Sequence, residues 1–187
     1  MRRTFAVPLL AAALLAPPAQ ALQWQSVDPN KSSLTFVFRQ MNVPVDGQFK
    51  KFTGQLFFDP RQPDAARASI DLDVGSIDAG SDEANDAVVG KAWFNAKEFP
   101  VAKFVSTTVK PLGGNRYQVN GKISIKGRTQ DVSAPVTATS QGGTTVFDGS
   151  FVLKRSDFAI GEGIWADFDS VANEIQIKFH FLASASK

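Results

Sequence analysis

Cysteine is absent from the 187 residues, and histidine and tyrosine occur once each. Without cysteine there is no disulfide, no thiolate metal site and no thiol nucleophile, so stability has to come from burial and hydrogen bonding. The single histidine, His180, shares strand parity with Glu174, Gln176 and Lys178, opposite the apolar face of NEIQIKFHF. It is therefore expected as a surface imidazole, which leaves no partner set for a Ser-His-Asp site and excludes a histidine-rich zinc site. Phosphate-binding glycine patterns are missing too; the nearest candidate, IGEGIW, opens no helix.

Charge of one sign is also scarce. The 20 basic residues exceed the 18 acidic ones only through Arg2 and Arg3, which lie in the opening segment MRRTFAVPLLAAALLAPPAQA. That segment has the basic start, short apolar run and small-residue cleavage site of a secretory signal, too short to span a bilayer. Residues 1–21 are expected to be removed, which places the mature protein, residues 22–187, in the periplasm. What remains is formally neutral, against a field that would gather a nucleic-acid backbone. No second long apolar run follows, so the mature chain is not expected to be transmembrane, although it could touch a membrane surface transiently. A chain of this length suits one domain burying roughly 70% of its unfolded surface.

What the sequence has in quantity is phenylalanine, sixteen residues, and alternation. Leu34, Phe36 and Phe38 share one face of their run, as do Ala68, Ile70, Leu72 and Val74. The same period of two groups Phe104 with Ser106; Tyr117, Val119, Gly121, Ile123 and Ile125; Val132, Ala134, Val136 and Ala138; and Ile175, Ile177, Phe179 and Phe181. Half-buried antiparallel strands give this pattern, because successive side chains leave opposite faces of the sheet. Gly113-Gly114 and Gly142-Gly143 mark tight hairpins between neighbours. One interruption reads as helix: Ser81 as N-cap, Asp82 and Glu83 in the first turn, Gly90 as the stop, followed by the aromatic segment WFNAKEFP. About eight strands with one short helical insertion make an all-β fold, a sandwich or a closed barrel; the phenylalanine excess favours a barrel with a large apolar interior.

RSDFAIGEGIWADFD, residues 155–169, concentrates the remaining chemistry. Its acids, Asp157, Glu162, Asp167 and Asp169, could form a glycosidase pair, but loop spacing cannot set the carboxyl separation that such a reaction needs. A calcium loop is disfavoured because only Asp167 and Asp169 stand in D-x-D form. The stretch is expected to end one strand, turn through a glycine-jointed rim and begin another, with its acids in water.

The ordered set VPVDGQFKKFTGQLFFDP, DLDVGSIDAGSDEAND, WFNAKEFPVAKFVSTTV, VNGKISIKGRTQDVSAPV, KRSDFAIGEG and VANEIQIKF resembles the YceI-like family of exported polyisoprenoid-binding proteins. The resemblance implies an antiparallel lipocalin-like barrel of about eight strands whose lumen holds a long isoprenoid tail, of quinone or polyprenol type, for carriage or sequestration. On that reading the protein is not an enzyme and has no catalytic residue, metal or resident cofactor; an isoprenoid lipid or quinone is its ligand. Arg155 and Asp157 would fix loop geometry, and Gln40 stands where many relatives carry a histidine. The expected lumen residues are Phe36, Phe38, Ile70, Leu72, Val74, Phe104, Ile123, Ile125, Phe151, Ile177 and Phe179, with Trp93, Phe94, Phe158 and Trp165 near its ends. The competing expectation is an envelope interaction protein whose barrel is solid.

Overall fold

The computed structural model describes residues 24–185; the expected signal segment lies outside them. Eleven strands, β1 (Gln25–Val27), β2 (Ser33–Gln40), β3 (Val43–Phe49), β4 (Phe52–Phe57), β5 (Arg67–Asp73), β6 (Ile77–Asp78), β7 (Val101–Gly113), β8 (Arg116–Ile125), β9 (Arg128–Gln141), β10 (Thr144–Lys154) and β11 (Glu174–Ala185), form one antiparallel sheet. The sheet closes: β11 pairs with β10 along one edge, and with β2 and then β1 along the other.

The surplus over the expected eight strands comes from interruption. β1 and β2 run along the same edge of β11, separated by a 3-10 turn at Pro29–Lys31. Opposite them β4 pairs with β1 and β3 with β2, and β5 and β6 in turn pair with β4 and β3. Each pair is one long stave with a break in it, so the wall is an eight-stave, up-and-down antiparallel barrel. Closure satisfies backbone donors and acceptors around most of the circumference.

The helix is α1 (Asp82–Val88), capped by Ser81, whose Oγ accepts from Ala84 N at 3.2 Å. It leaves the wall between β6 and β7, which share no ladder, and the WFNAKEFP turns carry the chain back. Val74 departs from the expected strand: it opens a 3-10 turn at Val74–Ser76, held by Asp73 Oδ1 accepting from Gly75 N at 2.9 Å. RSDFAIGEGIWADFD also contains no strand. β10 ends at Lys154, 3-10 turns follow at Arg155–Phe158 and Gly163–Trp165, and β11 begins at Glu174. Among the described residues no helix is long and apolar enough to cross a membrane.

Candidate functional site

The register places Leu34, Phe36, Ile70, Phe104, Ile123, Phe151, Ile177 and Phe179 on the inner face of neighbouring staves. So many rings would fill a small barrel if they pointed at its axis. They do not, because glycines on adjacent staves give them room to lie along the wall. Gly47 is the register partner of Phe36 and Gly149 the partner of Phe179, while Gly121 sits beside Phe104. A methyl group at any of the three would overlap that ring. Alternation alone does not reveal this; an inward-facing glycine opposite an inward-facing phenylalanine is the signal that does.

With the rings against the wall, the middle stays open. The barrel encloses a cavity of about 510 Å³, within the usual range for small-molecule sites. The competing expectation of a solid core is thereby overturned. Of the expected lumen residues, Phe36, Phe38, Ile70, Leu72, Phe104, Ile123, Ile125, Phe151, Ile177 and Phe179 line the cavity, as do Trp93, Phe94 and Trp165 toward one end. Two do not. Val74 and Phe158, each 1% exposed, pack behind the lining residues Ala102, Ile125 and Ile160, because the turns carrying them do not continue a stave.

The lining is almost wholly apolar. Its cations are already engaged: Lys103 belongs to the outward parity and meets Asp71 at 3.3 Å, and Arg67 donates to the carbonyls of Asp64 and Ala66. Arg155 is 2% exposed and makes seven hydrogen bonds to six backbone carbonyls, those of Ile160, Gly161, Trp165, Asp167, Val171 and Ala172, at 2.8–3.3 Å. Its guanidinium also lies 5.7 Å from the Trp93 ring and 5.1 Å from that of Phe168. Burial lowers its pKa and the nearby Asp167 opposes that shift, but a guanidinium stays charged. Arg155 thus fixes the loop geometry, as the resemblance implied; Asp157 is exposed and does not share in it.

Gln40, Ser81 and Glu83, all exposed, are the polar side chains at the open end, between the tip of β2 and α1. Lys126, at the β8–β9 turn, ties this rim together by donating to Ala159 O at 2.6 Å, Lys91 O at 3.1 Å and Glu162 Oε2 at 2.8 Å. The opposite end carries an aromatic cluster. Phe58, just past β4, meets Tyr117 and Phe147 edge-on at 5.2 and 5.3 Å between ring centroids. Sequence reasoning gave Phe58 no such place, because it lies in a turn and outside every alternating run.

No group of three metal-ligating side chains occurs among the described residues. His180 is on the outer face, its Nδ1 2.6 Å from Asp148 Oδ1 on β10, as expected of a surface imidazole.

The model of the YceI-like domain matches residues 25–183. The chain belongs to the YceI-like family. Its alignment with the structure of BcnA from Burkholderia cenocepacia has a TM-score of 0.82 at 48% identity and covers 84% of this chain and 99% of that one. A polyisoprenoid-binding domain from Saccharophagus degradans shares the fold at 15% identity, with a TM-score of 0.73 over 88% of this chain and 99% of that one. A UPF0312 protein of Pseudomonas putida is 29% identical over 86% of this chain and 88% of its own length. The geometry and the family agree on a barrel whose lumen is suited to a hydrophobic ligand.

Proposed function

We propose that this YceI-like protein holds the tail of an isoprenoid or similar long-chain lipid in its barrel, without transforming it, and carries or sequesters it in the periplasm. The observation that carries the reading is the apolar cavity of about 510 Å³, kept open by phenylalanine rings laid over inward glycines. The polyisoprenoid-binding domain of the same fold supports the class of ligand. Each buried methylene contributes ~0.8 kcal/mol, so a tail supplies ample driving force with no polar contact, much of it offset by the cost of ordering a flexible chain. With the lining cations Arg67, Lys103 and Arg155 engaged by protein acceptors, and Glu83 at the mouth, the arrangement favours a neutral head, a quinone or an alcohol, resting near Gln40 and Ser81. Periplasmic residence follows from the expected signal segment.

Organic extraction of protein purified from the periplasm of its own source, followed by mass spectrometry, tests the reading. A stoichiometric isoprenoid is the expected result, and the intact mass should show loss of residues 1–21. Empty extracts that also stay empty after incubation with ubiquinone would sink the carrier reading.

A further inference from the structure

The two ends of the lumen differ: exposed polar side chains stand at one, and an aromatic cluster made of few parts stands at the other. Phe58 and Phe147 line the bottom of the cavity. Beneath them Val109, Tyr117 and Ala138 are buried, at 7%, 6% and 6% exposure, and do not line it. Lining residues on β11 run from Ile175 to Phe181, which at roughly 3.3 Å per residue and a tilt of roughly 40° gives an axial depth of about 15 Å. An extended tail entering from the mouth therefore meets an aromatic floor.

We propose that the Phe58–Tyr117–Phe147 floor is the ruler of this site, setting the longest tail that the lumen accepts. This rests on the carrier reading and adds to it a specificity-determining element. The ruler is adjustable because its uppermost part is borne by a loop. Phe58 lies outside the strands, so its ring can be removed without deleting an inward side chain of a stave. On β9, Ala134 faces the lumen one pleat nearer the mouth than Val136, the partner of Tyr117. A larger side chain at Ala134 raises the floor by about 7 Å along the strand.

The test uses the mature protein and a series of all-trans isoprenols, from geraniol through farnesol and geranylgeraniol to longer members. Binding is followed by the fluorescence of Trp93 and Trp165, with stoichiometry from native mass spectrometry. In the wild type, affinity should rise about tenfold or more for each added isoprene unit, then level off or fall where the tail meets the floor. Phe58→Ala should move that limit at least one unit longer, and Ala134→Leu at least one unit shorter. Opposite shifts support the ruler. A limit that stays put in both variants, or a loss of affinity uniform across lengths, overturns it. Should Phe58→Ala fail to fold by thermal melt, Ala134→Leu alone decides by the same criterion. If the wild type binds no isoprenol of any length, the carrier reading falls, and the ruler with it; a length-dependent wild type with unmoved variants removes the ruler only.

Discussion

At the floor of the barrel three aromatic rings meet edge to face, and the adjoining turn is held by Asp59, 3% exposed, whose carboxylate accepts from Arg61 N at 2.9 Å and from its guanidinium at 3.0–3.2 Å. At the mouth one aromatic pair, Trp93 and Trp165 at 5.6 Å between ring centroids, stands beside the exposed polar side chains of Gln40, Ser81 and Glu83. The rim is drawn together from behind by Arg155, and α1 lies across it with no residue fully buried. The floor is built mainly of apolar contacts among buried and half-buried side chains. The mouth is framed by hydrogen bonds, which hold its shape while leaving space between the framed parts. On the carrier reading, these two kinds of construction suit a barrel that takes in its ligand at the mouth.

The largest effect is expected where the frame of the mouth depends on one side chain. Arg155→Met leaves six carbonyls without their donor in a place water reaches poorly, and should cost about 3–5 kcal/mol by urea denaturation. Arg155→Lys should recover little, since an ammonium cannot span acceptors spread across the fork of a guanidinium. If Arg155→Met unfolds like the wild type, the rim does not rely on this residue and the contrast between the two ends collapses.

The wall joining the ends offers the next test. Gly149→Ala places a methyl against the Phe179 ring and the Pro135 carbonyl, a crowding expected to cost about 1–3 kcal/mol. The displaced ring can move only toward the axis, so ubiquinone affinity should fall more than stability does. Equal binding by Gly149→Ala and wild type would mean that the rings do not govern the lumen.

These glycines mark the limit of what was legible in the sequence. Alternation placed the inner and outer faces of β2, β5, β8, β9 and β11 correctly, and the Ser81 cap with Gly90 located α1, because both depend on local backbone chemistry. The cavity depends on register, which pairs Gly149 with Phe179 across separate hairpin arms and Gly47 with Phe36 around a turn. Stave breaks fall at residues 28–32, 50–51 and 74–76; the first two are polar apart from Pro29, but at 74–76 a 3-10 turn interrupts hydrogen bonding without interrupting the apolar alternation. Val74 was assigned to the lumen on that account, and Phe58 was overlooked because a floor built from a turn leaves no periodic trace.

A matched pair of smaller changes separates mouth from floor by rate. Ser81→Ala removes the cap of α1 and should weaken the helix by about 1 kcal/mol, speeding ubiquinone release up to roughly fivefold in stopped-flow fluorescence. Asp59→Asn loosens the floor turn instead. Hydrogen exchange should rise over residues 58–66 while release stays at the wild-type rate. The Arg61 hydrogen bonds hold the Asp59 carboxyl below its ordinary pKa, so this clamp is present at neutral pH and is lost as pH falls below the usual carboxylate range. Lys50, at 2.8 Å, holds Asp78 at about 2 in the same way beside α1. Accelerated release in Asp59→Asn would show that the floor also opens.

The smallest effect belongs to Glu162, exposed at the rim and paired with Lys126 at 2.8 Å. The hydrogen bond from Lys126, then its charge, lowers the Glu162 pKa, with Arg128 and Lys91 adding to the shift. A carboxylate whose pKa is lower folded than unfolded stabilises the fold above its unfolded value, roughly 4.3, and that contribution disappears as pH falls through the folded value. Glu162→Gln should therefore melt slightly below the wild type near neutral pH in low salt, and the two should converge once the pH has fallen through the lowered folded value, when both carry a neutral side chain. High salt should shrink the neutral-pH gap, since an exposed pair is readily screened. Lys126 keeps its bonds to the carbonyls of Ala159 and Lys91 in either case, so the rim stays tied. A gap that survives both acid and salt would mean that Glu162 carries weight in the frame of the mouth through shape instead of charge, and the rim would then resemble the floor more than the comparison allows.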